Sequence, residues 1–247
     1  MFVSFNKNAN HKSCSEDFVS GLVSQNGING YLTLSDGCST SKGDVVFGAR
    51  FIHRILKNIF DIDDGKTNLH DAFPSYLNDA LDTGFLTAED LQITFLCAYF
   101  DVSVNSLYLK LIGDGYFYVE DMNGHYNIVK FDYKDNMPCY LGYTLQQFNI
   151  LQMRQYGQCD ICIDDNIFSN VIYSAHFKLS DIKKLFLFSD GIDQIENTDP
   201  HEFIKQICQD EKADSEDENF LNRKAKFLLK NKKNNDDVSF IGYIKRD

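Results

Sequence analysis

Seven acidic residues of this chain stand at the beginning or the end of segments with the pattern of β-strands. The tripeptide Ser-Asp-Gly occurs twice, each time directly after a strongly apolar run, once after YLTL and once after LFLF. Another acid lies in a Gly-Asp-Gly turn after LYLKLI, and acidic pairs precede the first and the last of these strands. A single Asp-Gly after a strand is an ordinary turn signal, so only the repetition of the pattern along the chain indicates a shared function. These acids are Glu16, Asp17, Asp36, Asp114, Asp190, Asp236 and Asp237.

Carboxylates in such places favour one kind of chemistry. A carboxylate at the end of a buried strand must be solvated, paired or bound to a cation, because burying a bare charge is costly. Carboxylates that converge raise each other's pKa unless a cation neutralises them. All of these groups offer oxygen, and oxygen ligands select hard ions such as Mg²⁺, Mn²⁺ or Ca²⁺. The sequence therefore indicates a site for hard metal ions built from strand ends.

Competing motifs receive little support. The segment at 61–65 resembles the start of an EF-hand loop, but Lys66 stands where that loop requires glycine and Ala72 where it requires glutamate. The chain contains no GxxxxGK[ST], GxGxxG or GxSxG motif, which argues against nucleotide-binding loops and serine hydrolases. Cys159 and Cys162 form a lone CxxC that lacks two further zinc ligands, so we favour two thiols near a strand or loop.

Hydrophobic periodicity places these acids among short strands and a few helices. Apolar residues at spacings of three and four predict a helix over 44–60, and further helices are predicted over roughly 69–82 and 216–232. Strands and helices occur in blocks rather than in strict alternation, which favours an α+β fold of antiparallel sheets with helices outside. The predicted strands cover 18–24, 31–35, 93–101, 106–112, 116–120, 126–132, 184–189 and 237–244.

Composition excludes several classes of protein. The chain has 247 residues, 24 of them basic and 36 acidic, for a formal net charge of −12. This balance argues against partners such as nucleic acid or anionic membranes, whose binding needs clustered lysine and arginine. No apolar run approaches the roughly 20 residues that span a bilayer, and the first residues lack the apolar core of a signal peptide. With seven scattered cysteines and no linker, we expect a cytoplasmic monomer with one domain over 1–247.

Taken in chain order, these motifs resemble those of the metal-dependent protein phosphatases, the PPM or type 2C serine/threonine phosphatases, in their bacterial single-domain form. The resemblance extends from residue 12 to residue 243 and depends on the order of its motifs more than on any one of them. The matching segments are Ser15-Glu16-Asp17, Leu34-Ser35-Asp36-Gly37, Gly48-Ala49, Ile112-Gly113-Asp114, Leu187-Phe188-Ser189-Asp190-Gly191 and Asp236-Asp237-Val238-Ser239.

The resemblance implies a four-layer α-β-β-α sandwich, in which two antiparallel sheets flanked by helices hold two Mn²⁺ or Mg²⁺ ions at one edge. Asp36 would bridge both ions. Glu16 and the carbonyl of Gly37 would bind one ion. Asp190 and Asp236 would bind the other. The acidic pair before the last strand leaves open which of its two members is the ligand, and position favours the first.

The remaining family positions fall close to these ligands. Asp17 would orient the attacking water without binding a metal directly, and Asp114, together with Asp190, would form a weaker third metal position. The family's phosphate-binding arginine is replaced by Lys12, a point charge that should make phosphate binding less directional. A flap beside the site would fall roughly within 143–170.

The implied activity is hydrolysis of phosphoserine or phosphothreonine by a hydroxide that bridges two ions, without a protein nucleophile. The cysteines agree, because none is followed by arginine at the CxxxxxR spacing. The implied partners are a phosphorylated protein and a cognate serine/threonine kinase or its targets. Two alternatives stay open. One is a non-catalytic regulatory or binding module on the same fold, suggested by Ser39 and Thr40 in place of family glycines and by Lys12. The other is a phosphoryl-handling enzyme with acidic metal ligands and a nucleophilic aspartate.

Overall fold

The computed structural model describes residues 2–10, 15–24, 29–62, 69–133, 139–145, 161–163, 166–168, 172–210 and 219–245. Within these ranges the chain forms two β-sheets and five α-helices. The strands are β1 (Phe2–Lys7), β2 (Phe18–Val23), β3 (Asn29–Ser35), β4 (Phe95–Asp101), β5 (Ser106–Ile112), β6 (Gly115–Asp121), β7 (Tyr126–Tyr133), β8 (Ile161–Ile163), β9 (Asn166–Phe168), β10 (Tyr173–Lys178), β11 (Ile182–Phe188) and β12 (Val238–Ile244). The helices are α1 (Val45–Ile62), α2 (Leu69–Asp82), α3 (Leu141–Leu145), α4 (Pro200–Cys208) and α5 (Phe220–Leu228).

Every strand pairing in both sheets is antiparallel. One sheet has seven strands in the order β1-β12-β11-β6-β7-β8-β9, and the other has five in the order β10-β5-β4-β3-β2. The seven-stranded sheet brings the first described strand against the last one, with Phe5 opposite Phe240. The predicted fold of two antiparallel sheets flanked by helices is therefore confirmed.

Three hydrophobic cores separate the layers. In β4, Leu96 and Phe100 join the core between the two sheets, whereas Phe95 and Tyr99 join the core beneath α1 and α2. This strand is apolar at nearly every position because both of its faces are buried. A third core packs α4 and α5 against the outer face of the seven-stranded sheet. The layer order is thus α-β-β-α.

Two glycines next to acidic residues lie where the chain passes very close to neighbouring residues. Gly113, in the turn between β5 and β6, has a φ of +95°, and a Cβ there would lie 2.5 Å from the side chain of Thr94. A Cβ on Gly191, just after β11, would lie 1.7 Å from the main-chain oxygen of Asp237. Neither position has room for a larger residue, so these glycines allow the ends of adjacent strands within each sheet to approach closely.

The elements differ from the predictions mainly where the signal was short. The unpredicted elements are strands β1, β8, β9 and β10 and helices α3 and α4. Within the described residues, the helix expected over 216–232 is α5, Phe220–Leu228. The flap expected within 143–170 lies mostly outside the described residues. Among the helices that the structure describes, none is both long enough and apolar enough to cross a membrane.

Candidate active site

A cavity of about 200 Å³ opens where strand ends from both sheets converge. Asp36 reaches it from the end of β3 in the five-stranded sheet. Asp190 reaches it from the end of β11 and Asp236 from just before β12, both in the seven-stranded sheet. Asp114 comes from the β5–β6 turn, which joins the two sheets. The full lining is Asp36, Gly37, Cys38, Ser39, Thr40, Thr94, Asp114, Tyr140, Asp190 and Asp236.

The cavity thus brings together acids that are far apart in the sequence. The other predicted residues lie nearby or cannot be placed. Glu16 is half-buried, with its Cβ 3.2 Å from the position that a Cβ on Gly37 would occupy. Asp17 is buried beside Asp36. Lys12 lies outside the described residues.

The carboxylates around the cavity perturb one another. Burial, followed by the charges of Asp17 and Asp190, raises the pKa of Asp36 well above its usual range. Burial also raises the pKa of Asp17 to about 7. The pKa of Asp114 is raised to about 8, by burial first and then by the charge of Asp190, whose own pKa burial raises as well. A bound cation would favour the ionised form of every member, so the chemistry of this donor set suits a cation.

Asp17 adds a second sign that the site is incomplete by itself. Its side chain is 2 % exposed, and Asp36, Ser189 and Ser239 lie near it. Among the described residues, no hydrogen bond of normal geometry reaches either of its carboxylate oxygens. Leaving a buried acceptor unsatisfied costs about 1–3 kcal/mol, and more for a charged group. The two oxygens are therefore available to a donor that enters the cavity region.

The neighbouring acids Asp236 and Asp237 have different surroundings. Asp236 lines the cavity. Asp237 is fully buried, and its two carboxylate oxygens accept hydrogen bonds from the main-chain N–H groups of Ala9 and Glu16, each at 2.6 Å. Asp236 therefore lies at the cavity, whereas Asp237 binds the main chain at Ala9 and Glu16.

The donor set fits hydrated hard ions. In the part of the chain that the structure describes, no three carboxylate, thiol or imidazole groups already converge as ligands of one ion. Mg²⁺ is usually bound through one or two carboxylates and keeps several waters, so it does not need such a convergence. Carboxylates spread around an open cavity, with Gly37 among its lining residues, match that mode of binding.

Hydroxyl and thiol groups line the part of the cavity that sequence reasoning did not find. Ser39 and Thr40 stand in place of family glycines, and the Thr40 hydroxyl lies 3.2 Å from the Cys38 sulfur. Tyr140, just before α3, lies near Cys38, and burial is the main cause that raises its pKa, so the phenol keeps its proton. Thr94 accepts a hydrogen bond from the Asp36 main-chain N–H at 2.9 Å. Tyr140 carries no local sequence signal, whereas Thr94 lies at the start of the strand predicted over 93–101 and directly precedes β4.

The CxxC pair receives no support as a metal site. Cys162 lies in β8, and Cys159 lies outside the described residues. The imidazole of His176, on β10, contacts the hydroxyl of Ser106 at 3.0 Å. The described cysteines are free thiols.

Comparison with known proteins identifies solved structures with a similar fold. No family model and no curated protein sequence matches the chain. Among solved structures, it is similar to a bacterial serine phosphatase, with a TM-score of 0.60 and 19 % identity over 100 % of this chain and 98 % of that one. It is similar to the serine/threonine phosphatase Stp1 from Staphylococcus aureus, with a TM-score of 0.59 and 18 % identity over 100 % and 95 % of the two chains.

A third similar structure is RsbX in complex with magnesium, with a TM-score of 0.56 and 12 % identity over 99 % of this chain and 94 % of that one. At these low identities the similarity concerns the fold. The chain therefore has the two-sheet fold of bacterial PPM-type phosphatases.

Proposed function

We propose that this protein is a metal-dependent phosphatase that removes phosphate from phosphoserine or phosphothreonine in a protein substrate. The observation that carries the proposal is the cavity where acids from both sheets meet. Their raised pKa values and the unsatisfied oxygens of Asp17 support a role in cation binding. The fold shared with a bacterial serine phosphatase, and with RsbX solved in complex with magnesium, supports the choice of reaction.

The proposed ligands follow the positions of the side chains. Asp36 would be shared by two ions, because it is contributed by one sheet and interacts with Asp190 from the other. Glu16 and the Gly37 carbonyl would complete the first ion, and Asp190 and Asp236 the second. Asp114, which interacts with Asp190, would serve a weaker third position. When bound, Mn²⁺ or Mg²⁺ would supply positive charge for the phosphoryl oxygens and lower the pKa of water.

The chain's own groups would position water and substrate. Asp17 has two buried oxygens that can accept hydrogen bonds from a water molecule and so fix its direction of attack. The hydroxyl groups of Ser39 and Thr40 can donate hydrogen bonds to phosphoryl oxygens in the cavity. Lys12, at the family's phosphate-binding position, would neutralise part of the substrate's charge. We assign the attack to water rather than to Cys38, because the chain has no CxxxxxR motif.

The substrate is proposed to be a phosphoprotein from the same compartment, the cytoplasm, and the partner that makes this substrate is a serine/threonine kinase. The net charge of −12 would favour phosphorylated segments that are neutral or basic over acidic ones. Rates for acidic and basic phosphopeptides at two salt concentrations would show this preference, because salt screens it.

The proposed activity can be tested with purified protein freed of metal by a chelator. We expect hydrolysis of an aryl phosphate and of a phosphothreonine peptide only after Mn²⁺ or Mg²⁺ is added. Asp36→Asn should lower the rate by about 100-fold or more, since it removes the shared carboxylate. Asp61→Asn, at an exposed acid on α1, is the matched control and should retain the rate. Full metal-dependent activity in Asp36→Asn would contradict the proposal.

A non-catalytic binding module is the second candidate. The observation that favours it is the presence of Ser39 and Thr40 at the cavity, where the family pattern has glycine. It predicts metal-induced stabilisation of the protein without turnover of either substrate, so a single sample assayed for both properties separates the two candidates.

A further inference from the structure

A turn beside the cavity carries two aspartates with different environments. The short 3-10 turn Asp190–Gln194 follows β11, and its first residue lines the cavity. Three residues later, Asp193 accepts a hydrogen bond from the hydroxyl of Tyr116 at 2.5 Å through one carboxylate oxygen. Its other oxygen accepts from the ammonium group of Lys130 at 3.0 Å. The Asp193 carboxylate is therefore held from two sides.

The two groups that hold Asp193 come from neighbouring strands. Tyr116 in β6 and Lys130 in β7 are directly paired residues, and the Lys130 ammonium lies 5.7 Å from the centre of the Tyr116 ring. The same ammonium lies 3.8 Å from a carboxylate oxygen of Asp132. Because Lys130 has several partners in one place, its position is well defined.

Tyr116 links this network to a second acid of the cavity. It follows Asp114 by two residues, so the chain that places Tyr116 also places Asp114. Its hydroxyl reaches Asp193, three residues beyond Asp190, on the turn that follows the neighbouring strand β11. One phenol therefore ties the β5–β6 turn to the turn after β11. We call Tyr116, Asp193 and Lys130 the clamp.

A purely structural role would explain little of this arrangement. The side chains of Lys130 and Asp193 are 40 % and 26 % exposed, and partly exposed ion pairs contribute little to the stability of a fold. The closing hydrogen bond of the 3-10 turn, from the Ile195 N–H to the Ile192 carbonyl, is long at 3.5 Å, although Ile192 is buried and the Asn235 N–H bonds to the Gln194 carbonyl at 3.3 Å. The side-chain contacts of Asp193 add to these contacts in holding the turn that carries Asp190.

We propose that Tyr116, Asp193 and Lys130 are positioning residues that fix Asp190 relative to Asp114 for binding of divalent cations. This inference rests on the proposed function. The clamp acts through Asp190 and does not contact the reacting groups. Outer groups of this kind typically change metal affinity by about 10–100-fold when they are removed.

The test compares Tyr116→Phe, Asp193→Asn and Lys130→Gln with the wild type in metal-free protein titrated with Mn²⁺. Tyr116→Phe removes one hydroxyl and no charge, so it isolates positioning from electrostatics. We expect the Mn²⁺ concentration for half-maximal thermal stabilisation to rise by about tenfold in Tyr116→Phe and Asp193→Asn. The rise should be smaller in Lys130→Gln, because that variant also removes a positive charge that repels the cation. The melting temperature without metal should change by no more than about 4 °C. At saturating Mn²⁺ the kcat and KM for an aryl phosphate should return to within threefold of wild type.

Lys224→Gln is the matched control. Lys224 forms a similarly exposed ion pair with Asp210, away from the cavity lining, so this variant should leave the Mn²⁺ midpoint unchanged. Midpoints in Tyr116→Phe and Asp193→Asn within twofold of wild type would overturn the clamp and leave the proposed function intact. A wild-type protein that shows no Mn²⁺-induced stabilisation would overturn both.

Discussion

Replacing Asp17 by asparagine should stabilise the protein in the absence of metal and at the same time remove most of its activity. Asp17 is buried, and neither carboxylate oxygen has a hydrogen-bond partner among the described residues. Burial is the main cause that raises its pKa from 3.8 to about 7. The ionised form is therefore disfavoured in the folded protein.

The size and sign of the effect follow from this pKa. A difference of about three pH units corresponds to about 4 kcal/mol, since one unit is 1.36 kcal/mol. Below pH 3.8 both the folded and the unfolded chain hold the proton, and the group costs nothing. As the pH rises from about 4 to 7, the unfolded chain releases its proton first, so the free energy of unfolding falls. Above pH 7 the full cost is present, and asparagine removes it.

The assay is urea denaturation of metal-free protein between pH 5 and pH 8. We expect Asp17→Asn to raise the free energy of unfolding at pH 8 by about 2–4 kcal/mol, with a smaller gain at pH 5. In the presence of Mn²⁺ the variant should hydrolyse an aryl phosphate at least tenfold more slowly, because its amide cannot accept hydrogen bonds at both positions. Greater stability with lower activity is the expected behaviour of a functional site.

Asp237→Asn is the matched control, since it makes the same substitution at another buried acid close by. The Asp237 carboxylate accepts N–H groups from Ala9 and Glu16, and an amide group can accept only one of them and would point its NH₂ at the other. We expect a loss of about 1–3 kcal/mol in this variant. If Asp17→Asn is no more stable than the wild type at pH 8 without metal, the inference that the buried Asp17 carboxylate destabilises the metal-free protein is refuted.

Three further predictions concern the framework of the site. Burial lowers the pKa of His53 to about 3, so the unfolded chain binds a proton below pH 6.5 that the folded chain does not. As the pH is lowered from 6.5 to 3, the free energy of unfolding should therefore fall by about 1.4 kcal/mol per pH unit. His53→Gln should flatten this slope in denaturation curves, and an unchanged slope would contradict the prediction. Gly191→Ala should lower the free energy of unfolding by more than about 2 kcal/mol, because the added Cβ meets the Asp237 carbonyl, whereas Gly124→Ala in open space should cost less. Lys184→Met should lower the free energy of unfolding by about 3 kcal/mol, measured by thermal denaturation, since the buried Lys184 ammonium is an ion-pair partner of the Glu120 carboxylate. A decrease of less than about 1 kcal/mol would show that Lys183 alone is a sufficient partner for Glu120.

Local patterns were enough to predict most of the sheets. The apolar runs around Leu32 and Phe186 gave strands because alternation and turn signals are properties of a few consecutive residues. Helix α4 was missed although Asp199 caps its first turn and Pro200 begins it, both of which are local signals. Strand β1 is different: its place depends on pairing with β12 at the other end of the chain, and such long-range pairing has no local signature.

The acids of the site could be named from the sequence because each stands at the end of a strand. The order of the motifs indicated that Asp36, Asp190 and Asp236 belong together, and all three line one cavity. Tyr140 could not be found in this way, because a residue outside any strand reaches the cavity only through the packing of α3. The hydrogen bonds of Asp193 also depend on the register between β6 and β7, which no single segment encodes.

The pair Asp236-Asp237 shows how one segment can serve both chemistry and architecture. Side chains of successive residues near a strand point in opposite directions, so only one of the two acids can face the cavity. Asp236 does so, and Asp237 turns inward to bind the main chain at Ala9 and Glu16. That contact ties the segment that carries Glu16 and Asp17 to the start of β12. The position of Glu16 relative to Asp236, which are proposed to bind different ions, therefore depends on Asp237, which is proposed to bind neither ion. For Asp237 to face the cavity in place of Asp236, β12 would have to shift its register by one residue.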